Sequence, residues 1–338
     1  MKTGQASALL SCAMLQQRMS LTIPSAPMAT IAQAEWQRQS LEHQDKMLKL
    51  AGGSIKHDRS HPIFNFLFEY YSFKSSTLLR YSPGHGVFLE GADQDEHASV
   101  IAKGGFVSSD LGGWYDPHCC SAKVADNISW IRSFLAETSS RPPKFFCFGL
   151  HEWAMLYAPP QGSSSKSQHQ NLPLRVSQEE LNRLVEEQPL RCTHFDAFRF
   201  FTPEARPLNN WELSRATVNQ HETPACVHSN MDLFKWALKM FPWVPSSLVA
   251  DCFELAVNAR KLDMRASPYD ISKFHKDGEL DLSPITVENE EGRKEYQVMQ
   301  HELYLHSLPI RAALLEQANT FLESRGSQEH HAQSQGGG

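Results

Sequence analysis

The sequence predicts a mainly α-helical protein of the α+β class, with one helical domain and a few short strands around a buried polar cavity. Helical spacing of apolar residues recurs in seven or more segments, whereas strand-like runs are few and short. The two types do not alternate, which disfavours a doubly wound parallel sheet. With 338 residues, 41% of them apolar, the chain can build a sizeable core.

The folded domain is predicted over residues 29–325. Residues 1–28 fit either a disordered extension or an organelle transit peptide, because no acidic residue occurs before Glu35. Residues 159–173 are of low complexity and predict a flexible surface insertion. Residues 326–338 are rich in Gln, His, Ser and Gly and predict a disordered tail.

In the first third of the chain, apolar periodicity predicts a helix over residues 29–50, ended by Gly52 and Gly53. The very apolar segment 62–73 predicts a deeply buried helix. Residues 81–91 predict a turn and a short strand. The polar, glycine-rich residues 92–118 predict a long loop.

The middle of the chain begins with an amphipathic helix predicted over residues 123–138. The apolar run 144–158 fits either a strand or a helix. A further helix is predicted over residues 177–187, because Ser177 and Glu180 have the spacing of a capping box.

The last third predicts helices over residues 231–241, 246–262 and 290–323. Pro309 lies inside the last of these. We expect it to interrupt the helix, since proline cannot donate the backbone hydrogen bond.

Bulk charge and cysteine content restrict the class of protein. The net charge is -6 and the pI is about 6.2, which argues against a long phosphate-neutralising surface. The seven cysteines include no CxxC pair, so zinc-finger spacing is absent and reduced thiols in an intracellular compartment are expected. That compartment is an organelle, the cytoplasm or the nucleus. No run of about 18 apolar residues occurs, so no membrane partner is expected.

Four segments set ionisable or amide side chains among aromatic residues. They are residues 149–155, 192–203, 226–236 and 262–270. Burying such polar groups costs a few kcal/mol each unless they are paired. We therefore expect the four segments to meet around one cavity.

Two of these segments carry histidine–carboxylate pairs. His151 and Glu152 form either a buried structural pair or part of a site; Met155 stands where an HExxH zinc motif needs its second histidine. His194 and Asp196 would share one face of a strand, as in non-haem iron sites, with His228 as the third ligand. The chain lacks the many alternating strands of that enzyme class, so a chance HxD match stays open.

Residues 226–236 place His228, Asn230 and Asp232 two apart, so in an extended segment they would face one way. Asp232 also suits the N-cap or first turn of the helix that follows, and this interpretation is favoured. His228 and Asn230 are candidate pocket residues.

The segment 262–270 ends a long helix. Its charged residues fit either a salt-bridged helix end or a carboxylate, Asp263, held near a substrate by Arg265 and Tyr269. Asp270 is a further candidate for substrate binding, or caps the residues that follow it.

Long strings around these segments carry a family resemblance. They are HPIFNFLFEYYSF, FGLHEWAM, RCTHFDAFRFFTPEARPLN, HSNMDLFKWA and VADCFELAVNARKLDMRASPYD. The chain resembles, over roughly residues 58–320, a bacterial and plant family whose members commonly carry the name 3-methyladenine DNA glycosylase. The resemblance implies a hydrolase of DNA repair that flips a base into an aromatic pocket and uses a carboxylate there.

Three function classes follow. The first is a DNA base glycosylase, with Glu152, Asp196 and Asp263 as candidate catalytic carboxylates. The second is a non-haem iron or zinc enzyme acting on a small aromatic metabolite, and the third is a non-catalytic ligand-binding protein. The expected partner is a small molecule or a flipped base, with DNA as a further candidate; the sequence leaves the metal and any cofactor open. The candidate substrate-binding residues are His151, His194, His228, Asn230, Arg265, Tyr269 and Asp270.

Overall fold

The computed structural model describes residues 27–57, 61–102, 104–160, 172–276 and 280–334. The predictions made for residues 1–28 and for the insertion at 159–173 therefore fall almost entirely outside the described residues. Within the described ranges, ten helices and one four-stranded sheet are present, and 55% of the structure is helical. The predicted fold class, mainly α with a few short strands, is confirmed.

The helices are α1 (Gln33–Leu50), α2 (Phe64–Tyr70), α3 (Ala122–Ser140), α4 (Leu150–Ala154), α5 (Gln178–Glu187), α6 (Phe195–Phe198), α7 (Val218–His221), α8 (Val227–Met240), α9 (Ser246–Ala266) and α10 (Glu290–Ser334). Short 3-10 turns connect them at Ser75–Leu79, Pro117–Cys119, Arg206–Leu208, Arg215–Thr217 and Ser272–Phe274. No described helix combines the length and the apolar character needed to cross a membrane.

The sheet has the strand order β1-β2-β4-β3. β1 (Ala29–Ile31) runs parallel to β2 (Val87–Glu90), with Thr30 opposite Phe88. β4 (Gly112–Tyr115) is antiparallel both to β2 and to β3 (Phe106–Ser109). The predicted helix over 29–50 thus begins later than expected, after a short strand.

The β3–β4 hairpin lies in the segment predicted to be a long loop, and that prediction was wrong. Gly112 and Gly113 belong to strand β4, where neighbouring backbone and side-chain atoms come close to their Cα atoms. A Cβ on Gly112 would lie 2.1 Å from the carbonyl oxygen of Leu89, and one on Gly113 would lie 2.5 Å from the Phe106 ring. Glycine allows the backbones to approach closely here. A glycine-rich composition is also typical of loops, so it did not indicate these strands.

The helical core is organised around α8, which is buried on almost every side. α8 packs along α9, and α10 packs across α9, α8 and α3. The interruption predicted at Pro309 was wrong, because α10 continues through it. Pro309 and Leu305 are both exposed, so the carbonyl that loses its N–H partner lies on the solvent side. α10 extends to Ser334, and residues 335–338 lie outside the described residues, so the disorder expected for 326–338 stays a prediction.

Several local predictions are confirmed. Residues 123–138 lie within α3, whose N-cap is Ser121. The Ser177–Glu180 capping box is present: the Ser177 hydroxyl accepts from the Glu180 N–H at 3.2 Å, and the Glu180 carboxylate accepts from the Ser177 N–H at 3.0 Å.

Candidate functional site

The site begins with a tight turn before α4. Phe148 and Gly149 both have positive φ, 50° and 72°. A Cβ on Gly149 would lie 3.0 Å from the Cβ of Ala266 at the end of α9. This turn seats α4 directly on α9 and so directs the α4 residues His151 and Glu152 into the core, where both are buried.

A buried ionic network joins α4 to α9. His151 Nε2 lies 2.6 Å from Asp263 Oδ1, and Arg260 donates to the other Asp263 oxygen at 2.5 Å. The same Arg260 nitrogen donates to Glu152 at 2.7 Å, and its Nε donates to the Pro62 carbonyl at 3.1 Å. All four charged or ionisable side chains are buried, so each charge depends on its partners.

The charges of this network are unequal. Two carboxylates, Glu152 and Asp263, face one guanidinium, Arg260. Burial acts against the charged form of His151, but the carboxylate of Asp263 outweighs it and holds the pKa of His151 well above its ordinary value. The pKa of Asp263 is lowered despite its burial, chiefly by His151. The excess negative charge is thus balanced by a proton on His151.

His228 lies between two other imidazole rings. Its ring centroid is 4.5 Å from that of His151, edge to face, and 5.1 Å from that of His194, stacked. Burial, together with the neighbouring His151, lowers the pKa of His228 well below its ordinary value. His228 is therefore neutral, and its Nδ1 is buried without a hydrogen-bond partner among the described residues.

Among the described residues, two sets of three side chains have metal-ligand spacing. In each set the potential ligand atoms all lie within 4.8 Å of one another, and every member is buried. The first set is His151, His228 and Asp263. The second set is His194, Glu222 and Asp232.

The second set is tied to other side chains. His194 Nε2 lies 3.2 Å from Asp232 Oδ2 and 3.8 Å from Glu222. Asp232 accepts a hydrogen bond from the Tyr71 hydroxyl at 2.8 Å, and its Oδ2 is in close contact with the Lys235 ammonium. Burial opposes the charged form of His194, but Glu222 and Asp232 outweigh it and raise its pKa.

The helical geometry of α8 determines which polar residues of segment 226–236 reach the candidate site. His228 and Asp232 are one helical turn apart and share a face. Asn230 points elsewhere and accepts a hydrogen bond from Arg311 at 2.7 Å. The extended interpretation of 228–232 was therefore wrong. So was the N-terminal position given to Asp232, because α8 begins at Val227 and Cys226 is its N-cap.

The HxD prediction was wrong in geometry. His194 is the N-cap of the short helix α6, so His194 and Asp196 do not share the face of a strand. Asp196 is 39% exposed and pairs with Arg199 at 3.3 Å and with Lys235 at 3.7 Å. It lies outside both sets, whereas the predicted nearness of His194 and His228 is confirmed.

The candidates near the end of α9 do not join the two sets. Arg265 points away from Asp263, donating to the Ser283 carbonyl at 2.7 Å and to Glu295 at 3.1 Å. Tyr269 is buried beside Leu174, where the two residues form an isolated β-bridge. Asp270 accepts from the Ser272 N–H at 3.0 Å, which is the local capping role that the sequence left open.

The sequence did not predict four residues of these networks: Arg260, Glu222, Lys235 and Tyr71. Helical spacing contained a signal for two of them, because Arg260 is three residues before Asp263 and Lys235 is three after Asp232. Glu222 and Tyr71 reach the site from a loop and from the end of α2, and no local pattern indicates this.

Some polar atoms of the site lack protein partners. The Nδ1 atoms of His194 and His228 and the Oε2 of Glu152 are buried without a hydrogen-bond partner among the described residues. Such atoms are uncommon in native structures and often mark an ion, a water or a catalytic role. The arrangement is chemically able to hold a cation or a small polar ligand.

No protein-family model, curated protein or solved structure matches this chain. The resemblance to the 3-methyladenine DNA glycosylase family stays a prediction. The functional argument therefore rests on the geometry of the site.

Proposed function

We propose that the protein is a metal-dependent enzyme acting on a small molecule, and that His151, His228 and Asp263 hold one transition-metal ion. Two imidazoles and one carboxylate converging in a buried site are the observation that carries this proposal. Two histidines and a carboxylate leave coordination positions free for water or substrate. Such donor sets occur in non-haem iron(II) oxygenases and in zinc hydrolases.

The charges favour a cation in this set. Glu152 and Asp263 together exceed Arg260 by one negative charge. A divalent metal ion would replace the proton shared by His151 and Asp263 and would change the net charge of the network from zero to +1. Neutral His228 supplies a free imidazole lone pair. Arg260 would keep Asp263 oriented from its other oxygen, the usual role of a partner behind a ligating carboxylate.

The second set is less suited to a metal. Lys235 contacts Oδ2 of Asp232, the same oxygen that faces His194. A cation at that oxygen would lie close to the ammonium. Repulsion of about 4 kcal/mol for each unit charge, at 4 Å and an effective dielectric constant near 20, would oppose it. We assign His194, Glu222 and Asp232 to a supporting role beside the metal, because the His194 ring stacks on that of His228.

The glycosylase activity implied by the resemblance has less support from this geometry. Arg260 binds both Glu152 and Asp263, and both carboxylates are buried. The third candidate carboxylate, Asp196, lies apart from them. The enclosed space beside His151 and His228 is about 10 Å³, roughly the room that one water molecule needs. Base flipping would require this space to open considerably.

Metal content tests the proposal directly. Purified protein, stripped with chelator and reloaded with iron(II), zinc or cobalt(II), should retain about one ion per chain. His228→Gln and Asp263→Asn should lose that ion, because each removes one of only three protein ligands. His43→Gln is the matched control, since His43 is a buried histidine bonded to the Leu78 carbonyl.

Circular dichroism should confirm that each variant is folded, and His228→Gln keeps the test valid if Asp263→Asn does not fold. Folded wild-type protein that retains no metal after reloading would overturn the proposal. Equal metal content in wild type and in folded His228→Gln would also overturn it. If the metal is retained without turnover of any substrate, the protein is a metal-binding protein rather than an enzyme.

A further inference from the structure

A narrow cavity lies between the His151–His228 pair and the half-buried side chains of Lys144 and Arg191. Its walls come from two extended segments, residues 142–148 before α4 and residues 190–194 before α6. Lys144 and Arg191 line the cavity together with the two histidines. The cavity therefore has a metal-ligand end and a cationic end.

Aromatic rings hold the two cations in place. Lys144 Nζ lies 6.0 Å from the centroid of the Phe146 ring and 4.9 Å from that of Trp211. The Arg191 guanidinium lies 5.3 Å from the Phe146 centroid. Phe146 and Trp211 are stacked, with their centroids 6.0 Å apart. These four residues form what we call the cationic mouth, and cation–π attraction orients both charges without neutralising them.

The cationic mouth has no acidic partner in the described part of the chain. No described carboxylate lies within 4.0 Å of Lys144 or Arg191, whereas Arg175, Lys235 and Arg260 each form an ion pair. The Nε–H of Arg191 is buried and donates to no acceptor among the described residues. Two half-buried, unneutralised cations beside a cavity form a receptor for a negative group.

We infer that the cationic mouth binds an oxyanion, a carboxylate or phosphate group, of the small molecule on which the enzyme acts. Calling that molecule the substrate rests on the proposed metal-dependent function, whereas binding of the anion does not. Because the whole cavity between Lys144, Arg191 and the two histidines admits about one water, the charged group and the body of the ligand lie outside it, at the cationic mouth. Only a small reacting group reaches His151 and His228.

Direct binding of simple anions tests this inference. Benzoate and inorganic phosphate are the probes, with benzamide as the uncharged counterpart of benzoate, measured by isothermal titration calorimetry at low ionic strength. At least one of the two anions should bind, and benzamide should not. Lys144→Gln and Arg191→Gln should each weaken anion binding about tenfold or more, because each removes a charge-assisted hydrogen bond.

Two kinds of variant separate charge from structure. Lys144→Arg and Arg191→Lys keep the charge and should retain most of the binding. Lys273→Gln is the matched control, because Lys273 also lies over an aromatic ring, Phe274, but far along the chain from the cavity. Its anion affinity should equal that of the wild type.

Each titration is done on chelator-treated and on metal-loaded protein. Anion binding that depends on Lys144 and Arg191 in both forms supports the inference, even if no metal is retained and the proposed function fails. Anion binding that needs the metal and ignores both mouth variants would overturn the inference and leave the proposed function intact. Binding of neither anion to folded wild type would also overturn it. Whichever of benzoate and phosphate binds more tightly identifies the carboxylate or the phosphate class.

Discussion

His151 and Asp263 form a 2.6 Å hydrogen bond between Nε2 and Oδ1 across 112 residues of sequence. Both side chains are essentially inaccessible to solvent. Arg260 donates to the other oxygen of Asp263 and also to Glu152. The His151–Asp263 bond is therefore part of an ionic network that links α4 to α9. The candidate metal ligands are thus part of what holds the core together, so a change in this network should affect both stability and the proposed metal binding.

Replacing Arg260 tests that coupling. Arg260→Met should lower the free energy of unfolding by about 3–5 kcal/mol, because it leaves Glu152 and Asp263 buried with only the His151 proton to offset them. Combining it with Glu152→Gln should recover part of the loss, since one uncompensated charge disappears. Urea denaturation followed by circular dichroism measures both effects.

Arg38 is the comparison for that prediction. Arg38 forms two ion pairs, with Glu35 and Glu42, but its side chain is 56% exposed. Arg38→Met should therefore cost less than about 1 kcal/mol. If Arg260→Met were equally mild, the buried network would not contribute to stability as argued.

Most of the helices could be predicted from the sequence, whereas the β3–β4 hairpin and the continuation of α10 through Pro309 could not. Helical periodicity and caps located α3 and α5 within a few residues, because these signals are local. The β3–β4 hairpin was missed because Gly112 and Gly113 serve close strand contacts that only the folded chain reveals. Pro309 was expected to break α10. The helix continues because the carbonyl of Leu305, which loses its N–H partner, lies on the solvent side, and the buried residues of α10 still pack on the core.

The site was predictable in composition but not in geometry. Polar residues among aromatics indicated that His151, His194, His228 and Asp263 are buried beside polar partners, and the structure buries each of them in one of the two sets. Asp196 was wrongly included because an alternating pattern was interpreted as a strand, whereas the residue follows a helix N-cap. Glu222 was missed because its role depends on a tertiary contact with His194 that no sequence spacing encodes.

The turn at Gly149 should be necessary for the site. Gly149→Ala places a Cβ 3.0 Å from Ala266 at a residue whose φ is 72°, a conformation that costs an L-residue roughly 1–2 kcal/mol. We expect a loss of stability of at least this size and weaker metal retention, because α4 carries His151. Gly53→Ala is the control, since Gly53 also has positive φ but its Cβ would meet nothing within 4 Å. Gly53→Ala should lose stability only because of its backbone conformation, and it should keep the metal affinity of the wild type. Equal loss of metal in both variants would show that the turn at Gly149 does not position His151 for metal binding.

His43 should make the protein less stable at acidic pH. Burial lowers the pKa of His43 in the folded state, and this outweighs its hydrogen bond to the Leu78 carbonyl. Below the ordinary histidine pKa of about 6.5, the unfolded chain takes up a proton that the folded chain resists. The free energy of unfolding therefore falls with decreasing pH, by at most about 1.4 kcal/mol per pH unit for one group, until pH reaches the folded-state pKa.

The variant His43→Gln isolates this contribution. Urea denaturation of wild type and variant at pH 7.5 and at pH 5.5 gives the pH dependence of each. The wild type should lose more stability than the variant over this interval. Identical pH dependence would show that His43 titrates in the folded state as it does in the unfolded chain.

Metal binding should stabilise the folded protein selectively. The three proposed ligands come from α4, α8 and α9, so they converge only in the folded chain. A metal at a free concentration of 100 times its Kd should then add about 2.7 kcal/mol to the free energy of unfolding and raise Tm. Thermal unfolding of chelator-treated protein with added zinc or cobalt(II) measures this, and magnesium should have little effect because it prefers oxygen ligands. His228→Gln should lose the zinc-induced rise in Tm, while His43→Gln should keep it. A rise of equal size with His228→Gln would place the metal elsewhere on the protein.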